Sequence, residues 1–499
     1  MRFCVSRHFF DRPRSALWAL EKLIHIGLPA FVLLSLGPHV SAFFFRGSAL
    51  VIIIYILHLK YRRRGNPSRY QTFVAILPFI VGIAYIDVIW HLYNVGRLQV
   101  YSDALYGYIP LSQMSIFDLD FWFFEVKPFV TPLIFKLCSR DMARVNDFFV
   151  TSYLLTTVFF LVAVSSLFAG FTEKVFVFYM LILFFLNQSL MGAWLTIAQS
   201  EVPAIVTTIL MLGVFAYSYR KKDCLEQATK TPYWLMPVIF VSTFAFSFAR
   251  DTNMYFLPFV ILFYFLVFKK AKHRIVVTVM ISSVFLLHNR TMEKAGRWRF
   301  PLANVLMRRI IPDDGLRKLF QEKYHLPDDA VVEPAANQWA SGEFENKDLI
   351  FASEGQDEDW VGKYGLKSYR SFLITHPGYV VSEWVKHWNA YNAGFWRWTL
   401  RRGRKYRLNE MTFSFPGSIS FFGAILILLS GLALMKENPL VSLTIVHSVV
   451  IGVIAYHGDA MEVERHLQQA AMTLRFSFLI LVVLLYKFLK RHLRSGETP

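Results

Sequence analysis

Apolar residues along this chain come in runs of about 20, the length that crosses a bilayer as a helix, separated by short joints rich in Lys and Arg. About twelve such windows can be laid down, at roughly 16–36, 40–59, 71–93, 148–169, 174–192, 201–219, 233–250, 253–268, 274–289, 416–435, 439–456 and 468–486. The pattern predicts an all-α fold, a polytopic bundle of about twelve transmembrane helices. Two stretches stay long and polar, 94–147 and 290–413. They divide the chain into N-terminal spans (1–93), a first external loop (94–147), central spans (148–289), a large second loop (290–413) and C-terminal spans with a basic tail (414–499). Pro29, Pro38, His39 and Arg46 interrupt the first two windows. Residues 16–59 therefore read as two full spans, a re-entrant hairpin or a signal segment, although no clean small-residue cleavage site follows.

Composition sharpens this picture. Of 499 residues, 55% are hydrophobic and only 18% charged, against about 25% charged in soluble domains. Those figures exclude a disordered chain, a fibre and a disulfide scaffold. The three cysteines, Cys4, Cys138 and Cys224, are too scattered for a zinc site. A net charge of +18 would suggest nucleic acid in a soluble protein, but here the positive residues sit between spans. Arg2, Arg7, Arg12 and Arg14 precede the first window, and Lys60, Arg62, Arg63, Arg64 and Arg69 follow the second. Arg220-Lys221-Lys222, the cluster Lys269, Lys270, Lys272 and Arg274, and the tail Lys487, Lys490, Arg491 and Arg494 complete the set. With twelve spans all fall on one side, which the positive-inside rule makes cytoplasmic. Both termini are then inside and both long loops outside. Nucleic acid drops out as a partner.

Ionisable residues near membrane depth are functional candidates by default. On this topology they gather at the outer face: Asp103 beyond the third window, Glu201 at the start of the sixth, Arg250 and Asp251 at the next outer turn, and His457, Asp459, Glu462, Glu464, Arg465 and His466 before the last. Plainer readings stand beside each. Arg250 and Asp251 would also make a local ion pair, and Glu201 would also favour its own helix N-terminus. Glu462 and His466, four apart, share a helix face and suit either a metal or a solvated turn. Asp103, among Tyr101, Tyr106 and Tyr108, could carry chemistry or cap a helix. No P-loop, no Gly-rich nucleotide loop and no Ser-His-Asp spacing appears.

The first loop reads as an amphipathic helix lying on the membrane, with Phe117, Phe121, Trp122, Phe123, Phe124 and Phe129 interleaved with Asp118, Asp120, Glu125 and Lys127. Near the end of the second loop, His376-Pro377 starts a helix carrying Trp384, Trp388, Phe395, Trp396 and Trp398, with Lys386 and Arg397 between them. The basic run Arg401, Arg402, Arg404, Lys405 and Arg407 follows. Most of these rings read as an aromatic belt, and the basic run suits anionic headgroups or a lipid phosphate.

The order of features is a span, an Asp just outside it, an aromatic interfacial loop, a Ser-Glu at the outer start of a later span, and a large late external loop. This resembles the GT-C superfamily of integral-membrane glycosyltransferases. The stretches that carry the resemblance are Ser102-Asp103-Ala104-Leu105-Tyr106, Lys127-Pro128-Phe129-Val130-Thr131-Pro132-Leu133, Ser200-Glu201-Val202-Pro203 and Arg250-Asp251-Thr252-Asn253. Arg299 to Val305 and Gly458 to His466 are similar to segments of bacterial members, and the likeness covers about 71–486. The resemblance implies inverting transfer of a sugar from a polyprenyl-phosphate carrier to a hydroxyl of a lipid, glycan or protein at the outer membrane face. It implies Asp103 as general base, Arg250 and Arg465 as grips on the phosphate, and Glu201, Asp251 and His466 as substrate-binding residues. Many members carry paired acids where this chain has Asp103 followed by Ala104. No metal ligands are therefore assigned, and a divalent ion stays as an alternative source of charge. A polymerase or ligase using a lipid-diphosphate oligosaccharide, or a lipid-carrier flippase, would share the many spans. A flippase would line the membrane midplane with polar residues.

Overall fold

The computed structural model describes residues 20–21, 23–29, 32, 69–96, 98–101, 104–123, 127–187, 191–222, 234–340, 360–389, 418–435, 437–460 and 463–495. Among them every regular element is a helix, apart from a lone parallel bridge between Gln99 and Ile197. Six helices are long and apolar enough to cross a membrane: α1 (Arg69–Tyr93), α2 (Met142–Ser165), α4 (Glu201–Arg220), α7 (Ala271–Lys294), α13 (Pro439–Gly458) and α14 (Gln468–Ser495). Between them lie the shorter apolar helices α3 (Phe171–Phe185), α5 (Leu235–Ala249), α6 (Leu257–Val267) and α12 (Phe421–Ala433). The chain is a helical multi-pass membrane protein. Each window from 71 onward thus meets a helix, whereas 16–36 and 40–59 fall mostly outside the described residues.

Neighbouring helices alternate in direction, so their ends collect at two poles. At one pole Asn146, fully buried near the start of α2, donates to the carbonyls of Tyr93 (2.9 Å) and Leu195 (3.0 Å) and accepts from Val95 N (2.8 Å). Gln469 at the start of α14 donates to Thr208 Oγ1 (2.8 Å) and Ala204 O (3.1 Å) in the first turns of α4. At the other pole Lys490 reaches Glu21 (3.0 Å) and Glu173 (3.5 Å). Asn146→Ala would strand the buried carbonyls and amide that it serves, at about 1–3 kcal/mol for each unsatisfied group. A clearly lower thermal midpoint in detergent is expected, and an unchanged midpoint would contradict this bracing role.

The interior joins these poles with aromatic and small polar contacts. Phe160, Phe184, Phe185 and Phe476 pack edge to face, linking α2, α3 and α14. Between α13 and α14, Thr444 meets Ser477 (2.8 Å), His447 meets Thr473 (2.9 Å) and Ser448 donates to Ala470 O (2.7 Å), the polar bonding that holds helices together in lipid. Gly431 lets α12 close on α13. A Cβ there would lie 3.3 Å from the side chains of Val441 and Ile445.

Two loop expectations change. Residues 94–147 do not form one surface helix: the described residues there include separate short helices Leu119–Phe123 and Val130–Leu137 and a turn over 112–118. Phe129 is buried against Trp122, Phe244 and Phe248, so these rings face protein, whereas Phe117 stays exposed. Helix α2 starts at Met142 instead of 148, because the Asp141 side chain caps it by accepting from Ala143 N.

The described part of 290–413 is a helical cap, with α8 (Arg299–Val305), α9 (Asp314–Tyr324), α10 (Leu366–Thr375) and α11 (Pro377–Lys386). It has its own core around Leu302, Leu306, Ile310, Phe320 and Phe372. The cap rests on the end of α13: Tyr369 donates to His457 O (3.0 Å), Arg309 stacks 4.0 Å from the Tyr456 ring centre, and Asn304 donates to Asp459 (3.3 Å). Trp388 belongs to no surface belt. It is buried, and its indole donates to Ile419 O (2.9 Å) just before α12. Phe395, Trp396, Trp398 and the 401–407 basic run lie outside the described residues.

Candidate functional site

The site forms where the chain breaks between α5 and α6. Helix α5 ends at Ala249, Arg250 is extended (φ −152°, ψ 143°), and a 3-10 turn over Asp251–Phe256 leads into α6. Asn253 secures the break by donating to Phe246 O (2.7 Å). The side chains of Arg250 and Asp251 go to separate partners. The local ion-pair reading of these two neighbours is thereby overturned.

Arg250 turns toward α4 and the short helix Val463–His466. Its Nη2 lies 3.3 Å from Glu201 Oε1 and donates to His466 Nδ1 (3.1 Å). Arg465 Nε reaches the same Glu201 oxygen at 3.2 Å. With the Gln199 amide oriented to suit its neighbours, it donates to Glu201 Oε2 (3.3 Å) and accepts from Arg465 Nη1 (3.3 Å). Glu201, 1% exposed, opens its helix as the acid of the first turn and also holds two guanidiniums. Arg250 is acceptor-free, so His466 Nδ1 must be the accepting nitrogen and Nε2 must carry the proton. Burial pushes this imidazole well below its ordinary pKa, and Arg250, Arg465 and Lys127 push the same way. His466 Nε2 lies 3.7 Å from Asp459 Oδ2.

Asp251 turns the other way. Its Oδ1 meets His288 Nε2 (2.8 Å) from α7 and Arg297 Nη1 (3.2 Å) from the turn beyond. His288, fully buried, stacks on Phe248 and meets Ser247 Oγ through Nδ1 (2.7 Å). Arg297 is braced by Thr291 Oγ1 (3.0 Å). Lys127 acts electrostatically on both Asp251 and His466, so the two clusters border one region.

Among the described residues at the break, the cations Lys127, Arg250, Arg297 and Arg465 outnumber the carboxylates Glu201, Asp251 and Asp459. Arg250 Nη1 and Arg297 Nε are buried with no hydrogen-bond partner in that set. Buried donors are normally satisfied, and an anion supplies what a guanidinium lacks. No group of three His, Cys, Asp or Glu among the described residues is placed to hold a metal.

Of the residues singled out from sequence, Glu201, Arg250, Arg465 and His466 come together, with Asp251 on the adjoining side. Asp103 and Glu462 lie outside the described residues. The segment before Asp103 is held by Gln99, which donates to Thr196 O (2.9 Å) and accepts from Ala198 N (2.8 Å), just ahead of Gln199 and Glu201. Ser247, His288, Arg297 and Gln199 escaped the sequence reading, and Lys127 was named there only as part of the first loop. Ser247 and Asp251 flank a helix break, and His288 lies near the end of the second apolar run beyond it; that juxtaposition was the available signal. Also unforeseen are His447 and Arg475, ionisable yet buried within α13 and α14.

Comparison of the chain with protein-family models, curated proteins and solved structures finds no match. Fold and site together define a helical multi-pass membrane protein with a buried, cation-rich cluster at one pole.

Proposed function

We propose that this protein is a GT-C-like membrane glycosyltransferase that moves a sugar from a polyprenyl-phosphate donor to an acceptor hydroxyl at the outer face. The observation that carries the reading is the buried Arg250–Glu201–Arg465 bridge, whose Arg250 Nη1 has no hydrogen-bond partner among the described residues. A phosphate leaving group needs this kind of cationic fork. Orientation follows the positive-inside rule: Arg220, Lys221, Lys270, Lys272, Lys487 and Lys490 belong to helix ends remote from the site, so about twelve spans with cytoplasmic termini put the site outside.

In the reaction the acceptor oxygen attacks the anomeric carbon, the bond from that carbon to the phosphate oxygen breaks, and polyprenyl phosphate leaves with the bonding pair. The acceptor proton passes to Asp103. Arg250 and Arg465 take up the charge growing on the phosphate, Glu201 fixes their direction, and His466 offers its Nε2 proton to a phosphate oxygen. Arg250→Ala removes a charged donor worth about 1.5–3 kcal/mol, so catalytic efficiency in liposomes should fall roughly 10–100-fold, with KM raised. Unchanged turnover of a polyprenyl-phosphate sugar by Arg250→Ala would refute the reading. Consumption of a lipid-diphosphate oligosaccharide in its place would assign the polymerase class.

A further inference from the structure

The two sides of the helix break differ in chemistry. On one, Arg250 Nη1 is buried with no hydrogen-bond partner among the described residues. On the other stands a carboxylate that is only half used. Both cationic partners of Asp251, His288 and Arg297, converge on Oδ1. Oδ2 accepts no hydrogen bond among the described residues, and the side chain keeps 29% exposure. The partly exposed oxygen of an otherwise pinned carboxylate is an acceptor waiting for a donor.

The pinning is unusually thorough. His288 Nε2 donates to Asp251, which leaves Nδ1 to accept from the Ser247 hydroxyl, so the ring is fixed in one tautomer. Phe248 fixes the plane of the ring by stacking at 4.5 Å between centroids. Thr291 fixes Arg297. A buried Ser–His–Asp series would suggest a nucleophile, but Ser247 is fully buried and its hydroxyl is committed to His288, so no substrate reaches it. The series runs toward the exposed carboxylate. Its product is a carboxylate of fixed direction, beside an anion-binding cluster that Lys127 also influences.

We infer that Asp251 Oδ2 accepts a hydroxyl of the transferred sugar, and that Ser247, His288 and Arg297 are positioning residues that aim it. This rests on the proposed polyprenyl-phosphate donor and adds which residue reads its sugar. A carboxylate accepts from sugar hydroxyls well, whereas the bare lipid phosphate offers Asp251 nothing and is held by Arg250, Arg465 and His466. Sugar selectivity is thereby separated from phosphate affinity across one peptide bond.

The test is binding to the full-length protein in nanodiscs, comparing bare polyprenyl phosphate with polyprenyl phosphates carrying a hexose, a deoxyhexose or a pentose. The quantity read is the affinity ratio of glycosylated to bare lipid. Wild type should prefer at least one glycosylated lipid, and Asp251→Asn should cut that preference by roughly 10–100-fold, the range of a hydrogen bond to a charged group. Ser247→Ala should lower the same ratio less. His288→Gln, whose amide N–H can stand where Nε2 stands, should restore what His288→Leu loses. A purely structural role would lower the affinity for bare and glycosylated lipid alike. An unchanged ratio in Asp251→Asn, or a wild type with no preference for any sugar, would overturn the inference. Loss of bare-lipid binding in Arg250→Ala would leave the donor assignment standing even then. If no polyprenyl phosphate binds at all, the donor assignment itself fails.

Discussion

Glu201→Gln is expected to destabilise this protein more than any other substitution at the Glu201 pole. The side chain is 1% exposed and holds two guanidiniums through one oxygen, with Arg250 and Arg465 themselves 9% and 12% exposed. Solvent therefore screens little of the loss. Removing one member of a buried ion pair costs about 3–5 kcal/mol, because the remaining charge is left uncompensated. Here two charges are left, and Gln offers a carbonyl in place of a carboxylate. Detergent-solubilised Glu201→Gln should show a sharply lowered thermal midpoint and poor yield, whereas Glu201→Asp, which keeps the charge on a shorter stem, should recover part of it. A Gln variant as stable as wild type would mean that the bridge contributes nothing.

The second large effect concerns activity. Asp103→Asn is expected to lower sugar transfer by about 10²–10⁴-fold, the contribution usual for a general base, with insertion and folding intact. Its flanking backbone is tied to the turn that leads into Glu201, through Gln99, Thr196 and Ala198. If Asp103 instead caps a helix, Asn would serve about equally well and activity would hardly change. The two substitutions thus separate cleanly. Glu201→Gln is read in the melting curve, Asp103→Asn in the rate.

Much of this was legible in the sequence, and the reasons differ by feature. Spans declare themselves because lipid demands a long apolar run, and from residue 71 on each run became a helix. Their starts were less legible. The N-cap of α2 depends on one Asp141 side chain, which hydropathy does not register. Rings in the 94–147 loop look the same in sequence whether they meet lipid or protein, so burial of Phe129 against α5 could not be read. In the site, Glu201, Arg250 and Arg465 stood out because charge at the edge of an apolar run is costly. The Ser247–His288–Asp251 series did not, since its bonds cross between helices and obey no fixed spacing. Likewise His447 and Arg475 were hidden inside otherwise apolar windows.

The central claim is that a polyprenyl-phosphate sugar is the donor, and the most direct measurement is donor turnover by purified protein in liposomes. Labelled sugar should leave the lipid, free polyprenyl phosphate should accumulate, and both should fall together in Asp103→Asn. Intact donor under all conditions, with a lipid-diphosphate oligosaccharide consumed by the same preparation, would contradict it.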